Sequence, residues 1–323
     1  MKPPVGIIVH DGYEYISNAY GTTRLGYLHG FQKIGMQAEF VEHGALYDWI
    51  DVQLDPVLWL TYDDYNYLGE ETLEAVRACH HIVQVNTWFD GMEKLHRAYD
   101  APSPAIPEEL RRCILDSGPD FAWCSAPEPY LEFYEGWAKV GMKVVSLPWA
   151  CDAAHYYPVI GDRFEDVEMA YVGGYRAYKE RQYGIRLWPY NERLRIWGYS
   201  EWPRCYQGHL PNEQERELYS QACLCPTISE PQFCVTGDTV ERPFKIMGCR
   251  GLTILDMPCY HDLFSEDEAL IAYEPDTYHW MVSKVLTDEE TCIAYRERGY
   301  RAIMERHTYA HRAQKIVEEL GLC

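Results

Sequence analysis

Basic residues beside a pair of glycines mark the first segment for which the sequence predicts chemistry. Gly173 and Gly174 follow an apolar tetrapeptide typical of a buried strand, and Arg176 and Arg181 come shortly after them. Because glycine has no side chain, backbone N–H groups there can approach a phosphate, and the start of a helix favours a bound anion. A plain tight turn is the alternative, since the chain contains neither GxGxxG nor GxxxxGK[ST].

A second basic pair predicts another part of an anion site. Arg242 and Lys245 flank a proline that favours the first turn of a helix. Cations are unfavourable at a helix start unless an anion joins them, so this pair indicates a bound anion. The alternative is that these cations form surface ion pairs with Glu230, Asp238 and Glu241.

Three polar residues that follow apolar strands are candidate general bases. His10 and Asp11 come after the first predicted strand, and Asp90 comes after the fourth. Ligands of open α/β sheets bind outside the carboxyl ends of the strands, which is where a base is needed. A structural role at a strand end is the alternative for each. Gly21 and Thr22 are expected in the loop after the first strand, near His10 and Asp11.

Other polar groups are assigned no chemistry. Asp63 and Asp64 lie in a tyrosine-rich loop and are expected to face solvent, and the adjacent His80 and His81 are expected to be structural. The 12 cysteines are scattered without a CxxC pair, so we expect reduced thiols and no zinc site. No DxD, GxSxG or HExxH motif occurs, which predicts neither a metal nor a metal-anchored transferase.

Strand-like apolar runs alternate with helical patterns along the chain, which predicts an α/β fold with parallel sheets. Strands are predicted at 5–9, 38–41, 57–60, 81–85, 121–124, 143–147, 169–172, 194–197, 224–227, 252–255 and 269–272. The main helices are predicted at 22–35, 70–78, 108–115, 130–140, 176–188, 212–222, 242–249, 277–286, 288–305 and 307–321. An irregular stretch at 148–167 separates two such series, so we expect two domains with a cleft between them.

Composition excludes several classes of protein. The formal charge of −21 argues against a general nucleic-acid binder, and 47% apolar residues exclude a disordered chain. No run of 18 apolar residues and no signal peptide is present, so we expect no membrane span and a cytoplasmic protein.

The second half of the chain also resembles a known family. The residues that carry the resemblance are Tyr171–Gly174 with Arg181, Arg195–Gly198, Tyr206–Leu210, Leu218–Ala222, Pro226–Glu230, Glu241–Gly251 and Gly299–Arg312. They are similar to the second domain of GT-B glycosyltransferases, specifically the CgeB-like group and the "glycosyl transferases group 1" domain.

The resemblance implies a GT-B fold, in which two Rossmann-like domains face a central cleft. Residues 1–155 would form the acceptor-side domain, 156–306 the nucleotide-sugar domain, and 307–323 a helix that returns to the first domain. The donor diphosphate would meet Gly173, Gly174, Arg176, Arg181, Arg242 and Lys245. Where many relatives have a glutamate for the ribose this chain has Phe244-Lys245, which leaves Glu230 and Asp238 as acidic partners.

The predicted function is metal-independent transfer of a sugar from a nucleotide-diphosphate sugar to an acceptor hydroxyl. No cofactor is expected, and the acceptor would be a carbohydrate, a small molecule or modified DNA. Inversion with a protein base and retention with the donor phosphate as base both stay open. The alternatives are a non-catalytic sugar-nucleotide or carbohydrate-binding protein on the same scaffold, and a phage-type enzyme acting on a hydroxymethylated DNA base.

Overall fold

The chain forms two compact units, each with its own parallel sheet. The computed structural model describes residues 2–11, 19–86 and 106–322. Of these, unit 1 comprises the residues up to Pro148 together with 309–322, and unit 2 comprises Trp149–Thr308.

Unit 1 is built on six parallel strands in the order β2-β1-β3-β4-β5-β6. The strands are β1 (Val5–Val9), β2 (Ala38–Glu42), β3 (Val57–Thr61), β4 (His80–Gln84), β5 (Phe121–Cys124) and β6 (Val144–Ser146). Every residue of β1, β3 and β5 is buried, as expected of parallel strands covered by helices on both faces. In register, Val5 of β1 lies opposite both Ala38 and Val57, so the carboxyl ends of three strands lie side by side.

The helices described in unit 1 are α1 (Ala19–Lys33), α2 (Leu46–Val52), α3 (Glu70–Arg77), α4 (Glu108–Ser117), α5 (Glu135–Lys139) and, from the end of the chain, α12 (Tyr309–Glu319). Helix α12 packs on α1, where the rings of Tyr309 and Tyr27 lie 4.9 Å apart. Short 3₁₀ helices at His43–Ala45, Tyr62–Asn66 and Glu128–Tyr134 follow strands β2, β3 and β5. The predicted helix at 130–140 is therefore partly a 3₁₀ helix, and α5 begins only at Glu135.

Unit 2 contains five short strands and six α-helices. The strands are β7 (Met169–Val172), β8 (Leu194–Trp197), β9 (Tyr206–Gly208), β10 (Ile254–Leu255) and β11 (Leu270–Ile271). The helices are α6 (Glu180–Arg186), α7 (Asn212–Gln221), α8 (Phe233–Thr236), α9 (Arg242–Gly248), α10 (Pro275–Thr287) and α11 (Glu289–Arg306), with 3₁₀ turns at Ala177–Lys179, Trp188–Tyr190 and Pro258–Asp262. None of the helices described in either unit is both long and apolar enough to cross a membrane.

Residues 224–227 form extended backbone between two small sheets rather than the regular strand that was predicted. On one side Leu224 forms a parallel bridge with Met169, at the start of β7. On the other side the N–H groups of Cys225 and Thr227 donate to the carbonyls of Leu252 and Ile254 at 2.8 and 3.2 Å. The segment therefore connects the sheet β7-β8-β9 to the pair β10-β11.

Candidate functional site

The loop after β7 brings two of the predicted donor-binding glycines next to β8. The Gly173 N–H donates to the Trp197 carbonyl and the Trp202 indole N–H donates to the Gly173 carbonyl, each at 2.8 Å. The Tyr175 N–H donates to the Ser200 hydroxyl at 2.8 Å. The N–H of Gly173, which was predicted to meet a phosphate, is thus engaged inside the protein. We call residues 173–175 the glycine loop.

Two side chains approach the glycines of this loop closely. A Cβ atom on Gly173 would lie 2.8 Å from Nη2 of Arg242, and one on Gly174 would lie 2.6 Å from the Tyr199 hydroxyl. A Cβ atom on Gly198 would lie 2.2 Å from the Gly173 carbonyl oxygen. The two glycines of the loop therefore make room for a guanidinium and a tyrosine ring.

Arg242 is the cation that the fold holds against the glycine loop. Its guanidinium lies 4.5 Å from the centroid of the Tyr171 ring, a cation–π contact with the strand β7 that precedes the loop. Across residues 2–11, 19–86 and 106–322, no carboxylate oxygen lies within 4.0 Å of it, unlike the other buried cations nearby. The guanidinium is therefore a positive charge beside the glycine loop, with no carboxylate of the described residues close to it.

The two neighbouring lysines are held in ion pairs within unit 2. Lys179 Nζ lies 2.7 Å from Glu230 Oε1, and Lys245 Nζ lies 2.8 Å from Glu241 Oε2. Burial alone would lower the pKa of Lys245, but the charges of Glu241 and Glu215 outweigh it and raise that pKa above its usual value. Lys245 and Glu230, both predicted to bind the donor, are thus committed to partners of opposite charge.

The remaining predicted donor residues are spread around the loop. Arg176 and Arg181 are exposed, and Arg176 donates to the Tyr199 hydroxyl at 2.9 Å. Asp238 accepts a hydrogen bond from Thr236 at 2.8 Å. The structure thus brings together Gly173, Gly174 and Arg242, and connects Arg176 to the loop through Tyr199.

A second site lies at the carboxyl ends of β1, β2 and β3 in unit 1. His10 follows β1, and Asp11 is exposed with its Oδ1 accepting from the Gly44 N–H at 2.9 Å. Gly21 and Thr22 do not lie in a loop as predicted, because α1 begins at Ala19 and includes both of them as buried residues. Asp90 lies outside the described residues.

Asp64 is buried at this edge, which corrects the expectation that both aspartates of its loop face solvent. Its side chain has 0% exposure, whereas the adjacent Asp63 is exposed. The 3₁₀ helix after β3 turns Asp64 inward, where it accepts from the Thr61 N–H at 2.6 Å. Nη2 of Arg24 lies 3.1 Å from both carboxylate oxygens, and Nε2 of His43 lies 3.2 Å from Oδ1.

Burial alone would raise the pKa of the Asp64 carboxyl. The hydrogen bond from His43 and the charge of Arg24 outweigh that effect, so the pKa lies below its usual value and Asp64 is ionised at neutral pH. We call His10, Arg24, His43 and Asp64 the polar cluster.

His10 completes the polar cluster through ring contacts. Its imidazole lies edge-to-face on His43, with centroids 4.8 Å apart, and edge-to-face on Tyr67 at 4.2 Å. Burial lowers the pKa of His10 below its usual value, and the neighbouring His43 lowers it further. The imidazole of His10 is therefore unprotonated at neutral pH, as a general base must be.

Sequence reasoning missed Arg24, His43 and Asp64 as parts of one cluster. The signal that identifies the last two is their position, since His43 follows β2 and Asp64 follows β3 at the edge where ligands bind. Arg24 carries no such signal, because it lies on α1 and is brought in by packing. Among the described residues, no group of three or more His, Cys, Asp or Glu side chains is arranged to hold a metal ion.

Comparison with known proteins supports a glycosyltransferase fold. Residues 176–318 match the family model described as "Glycosyl transferase-like". No curated protein sequence matches the chain.

Solved structures of similar fold extend over the whole chain. The DNA modifying enzyme β-glucosyltransferase has a TM-score of 0.63 and 8% identity, with 98% of this chain and 99% of that one covered. T4 phage BGT in complex with UDP and Mn²⁺ has a TM-score of 0.59 and 9% identity, over 98% and 99% of the two chains. HepE from Anabaena in complex with UDP has a TM-score of 0.61 and 8% identity, over 100% of both chains.

These comparisons confirm the predicted fold class. The chain has the GT-B glycosyltransferase fold with two Rossmann-like α/β units, and the predicted resemblance to that group is confirmed at the level of the fold.

Proposed function

We propose that this protein transfers a sugar from a nucleotide-diphosphate sugar to an acceptor hydroxyl without a metal ion. Unit 2 would bind the donor at the glycine loop, and unit 1 would supply the base from the polar cluster. The observation that carries the proposal is Arg242, a guanidinium held beside Gly173 with no carboxylate within 4.0 Å among the described residues. That two of the similar structures are complexes with UDP supports the same ligand class.

Arg242 would act on the leaving group. As the bond between the anomeric carbon and the diphosphate oxygen breaks, the diphosphate takes the electron pair and gains negative charge. A fixed guanidinium stabilises that charge more in the transition state than in the bound donor, which is how such a contact lowers a barrier. Removing one such contact is expected to cost about 3–4 kcal/mol.

His10 would act on the acceptor. The unprotonated imidazole accepts the proton of the acceptor hydroxyl while the hydroxyl oxygen bonds to the anomeric carbon. Asp11, the other predicted base at this strand end, accepts a hydrogen bond from the Gly44 N–H with its Oδ1 and stays the alternative base. A protein base on the acceptor implies inversion at the anomeric carbon, which proton NMR of the product detects.

The proposed acceptor is an uncharged hydroxyl compound rather than DNA. Binding to DNA depends on many free Lys and Arg side chains, and this chain has a formal charge of −21. Several exposed arginines of unit 2 are already paired with carboxylates, among them Arg193 with Glu168 and Arg195 with Asp166. Duplex containing hydroxymethylated bases should therefore not compete with a carbohydrate acceptor.

Two variants in unit 2 test the donor site. Arg242→Gln removes the charge, and Gly173→Ala places a Cβ atom 2.8 Å from the flexible end of Arg242, which must then move away. Both should weaken binding of the preferred sugar nucleotide, found by a thermal-shift panel of UDP-, GDP-, ADP- and TDP-sugars. Arg242→Gln should also lower kcat by about 10²–10³-fold.

The matched control is Arg193→Gln, which removes an exposed arginine of the same unit that is paired with Glu168 at 3.1 Å. It should leave donor binding and kcat unchanged. Equal kinetics for Arg242→Gln and Arg193→Gln would contradict the donor site. A wild-type protein that binds the donor but never hydrolyses it, with or without acceptor, would instead be a non-catalytic binding protein.

A further inference from the structure

Two imidazoles lie side by side at the ends of neighbouring strands in unit 1. Val9 of β1 is opposite Glu42 of β2, so the next residues, His10 and His43, leave the sheet at the same edge. Their ring centroids are 4.8 Å apart at an interplanar angle of 67°. The Tyr67 ring contacts both imidazoles, and its centroid lies 4.2 Å from that of His10 and 5.0 Å from that of His43. The second imidazole is therefore part of the immediate surroundings of the first.

His43 is fixed from the side opposite to this contact. Asp64 is ionised and can only accept a hydrogen bond, so the Nε2 of His43, 3.2 Å away, must carry a proton and donate it. The side chains of His43 and Asp64 have 5% and 0% exposure, so solvent does not compete for this bond. The tautomer and the ring orientation of His43 are thereby set by Asp64.

Arg24 links Asp64 to strand β1. Its Nη2 binds Asp64 at 3.1 Å, while its Nε donates to the carbonyl of Ile8 at 2.7 Å, two residues before His10. The buried contacts of Ile8, Arg24, Asp64 and His43 thus lead back to the partly buried His10. Arg24 and Asp64 are both buried, so separating them would cost free energy, and their ion pair helps to fix the cluster.

We propose that His43, fixed by the buried Asp64–Arg24 pair, is a positioning residue for His10 in the glycosyl transfer. It packs edge-to-face on the His10 ring and so places a second imidazole against the base. This inference rests on the proposed function only for the role of His10 as base; the coupling between the two rings is a property of unit 1 alone.

The charged groups that shift the pKa of His10 come from three elements and act in opposite directions. Burial lowers its pKa most, and His43 after β2 and Arg24 on α1 lower it as well. Asp64 and Asp63, both after β3, raise it. Replacing His43 should therefore raise the pKa of His10, and the acid limb of the activity profile should move to higher pH with it.

The experiment is an NMR titration of the histidine ring signals in the full-length protein, with the His10 signal assigned by its loss in His10→Gln. His43→Phe keeps an aromatic ring but removes the imidazole, and His43→Gln keeps a donor for Asp64 without a ring. In both variants the midpoint of the His10 titration should move to higher pH. The control His80→Gln, which removes an exposed histidine paired with Asp120 at 3.0 Å, should leave it unchanged.

Kinetics separate this inference from the proposed function. If both hold, the His43 variants lose less than the ~100-fold expected on removing the base itself, and their pH profiles follow the shifted His10 midpoint. A His10 midpoint that is the same in wild type and in both folded His43 variants overturns the inference, whatever the activity. An active His10→Gln variant overturns the assignment of His10 as base, while a shifted midpoint in the His43 variants would still support the coupling of the two rings.

Discussion

Asp64 is the residue on which the arrangement of the polar cluster depends. It accepts hydrogen bonds from the backbone and hydroxyl of Thr61, at 2.6 and 3.0 Å, in addition to those from Arg24 and His43. A buried ion pair adds little net stability over apolar side chains, but removing one partner leaves the other charge buried and unpaired. The cost of changing Asp64 should therefore far exceed that of changing its neighbour in sequence.

We expect Asp64→Asn to destabilise the protein by about 3–5 kcal/mol at neutral pH. The pKa of Asp64 lies below its usual value of 3.8, so its contribution is complete above that pH and is lost as the pH falls through the folded-state pKa. The difference in unfolding free energy between wild type and variant should therefore shrink in acid. Urea unfolding at about pH 7 and about pH 3 measures it.

The adjacent Asp63→Asn is the matched control. Burial and the charge of Asp64 raise the pKa of Asp63, so its ionised form is not stabilised by folding. This exposed substitution should change stability by less than about 0.5 kcal/mol at neutral pH. Equal losses for the two variants would show that the Arg24–Asp64 pair does not set the stability of this edge.

The sequence predicts where the strands end. It does not predict which side chains bind the polar residues that follow those ends. His10 and the glycine loop were found because each follows a continuous apolar run that can only be a buried strand. Asp64 looked like a solvated residue because its neighbours are polar, and its burial depends on Arg24, 40 residues away in sequence. For the same reason the sequence could not distinguish Arg242, which lacks a close acidic partner in the described structure, from Lys245, which pairs with Glu241.

At the scale of elements, the packing of α12 on α1 depends on two glycines one turn apart. A Cβ atom on Gly26 would lie 2.2 Å from Cδ2 of Tyr309, and one on Gly30 would lie 2.5 Å from the Tyr309 carbonyl oxygen. The ring of Tyr309 can shift, but its backbone cannot move without displacing the start of α12. Gly30 is therefore the tighter constraint on how the two helices meet.

We expect Gly30→Ala to destabilise unit 1 by about 1–3 kcal/mol, as overpacking does. Helix propensity alone predicts the opposite sign, a gain of roughly 1 kcal/mol for alanine within a helix. Urea unfolding measures the loss of stability, and hydrogen exchange of the amides in 309–319 shows whether α12 is released from α1.

Gly184→Ala in α6 isolates the propensity effect, because a Cβ atom there meets nothing within 4 Å. That variant should be as stable as wild type or more stable by up to about 1 kcal/mol. If Gly30→Ala were equally stabilising, close approach of α12 would not be what requires glycine in α1.

The predicted bounds of helices and strands are most accurate where the hydrophobic pattern of the sequence is clearest. β1, β5, β7 and β8 begin and end at the predicted residues, since short apolar runs between polar loops have one interpretation in an α/β chain. Strand β9 was missed because the polar sequence Tyr206–Gly208 gains its pairing only from β8 beside it. The helix predicted at 176–188 begins as a 3₁₀ turn, and α6 itself spans Glu180–Arg186.

For the whole molecule, the distribution of charge bears on whether a metal takes part. The chain lacks a DxD motif, and the proposed donor site has Arg242 where leaving-group charge would develop. We expect sugar transfer to continue in excess EDTA and to gain nothing from added Mn²⁺ or Mg²⁺, as measured by initial rates with the preferred donor. Loss of activity on chelation that either ion restores would show that a metal carries the charge instead.

The position of α12 in unit 1 has a consequence for how the chain folds while it is being made. The face of α1 that carries Gly26 and Gly30 leaves the ribosome before any residue of unit 2 is synthesised, yet Tyr309 comes only after all of them. At ~5–20 residues per second this delay is on the order of ten seconds or more. During that time Tyr27 can already pack on Trp59 and Trp123 but lacks its contact with Tyr309, and unit 2 has its full set of strands before unit 1 has its last helix. The nascent chain is thus expected to complete its second unit first.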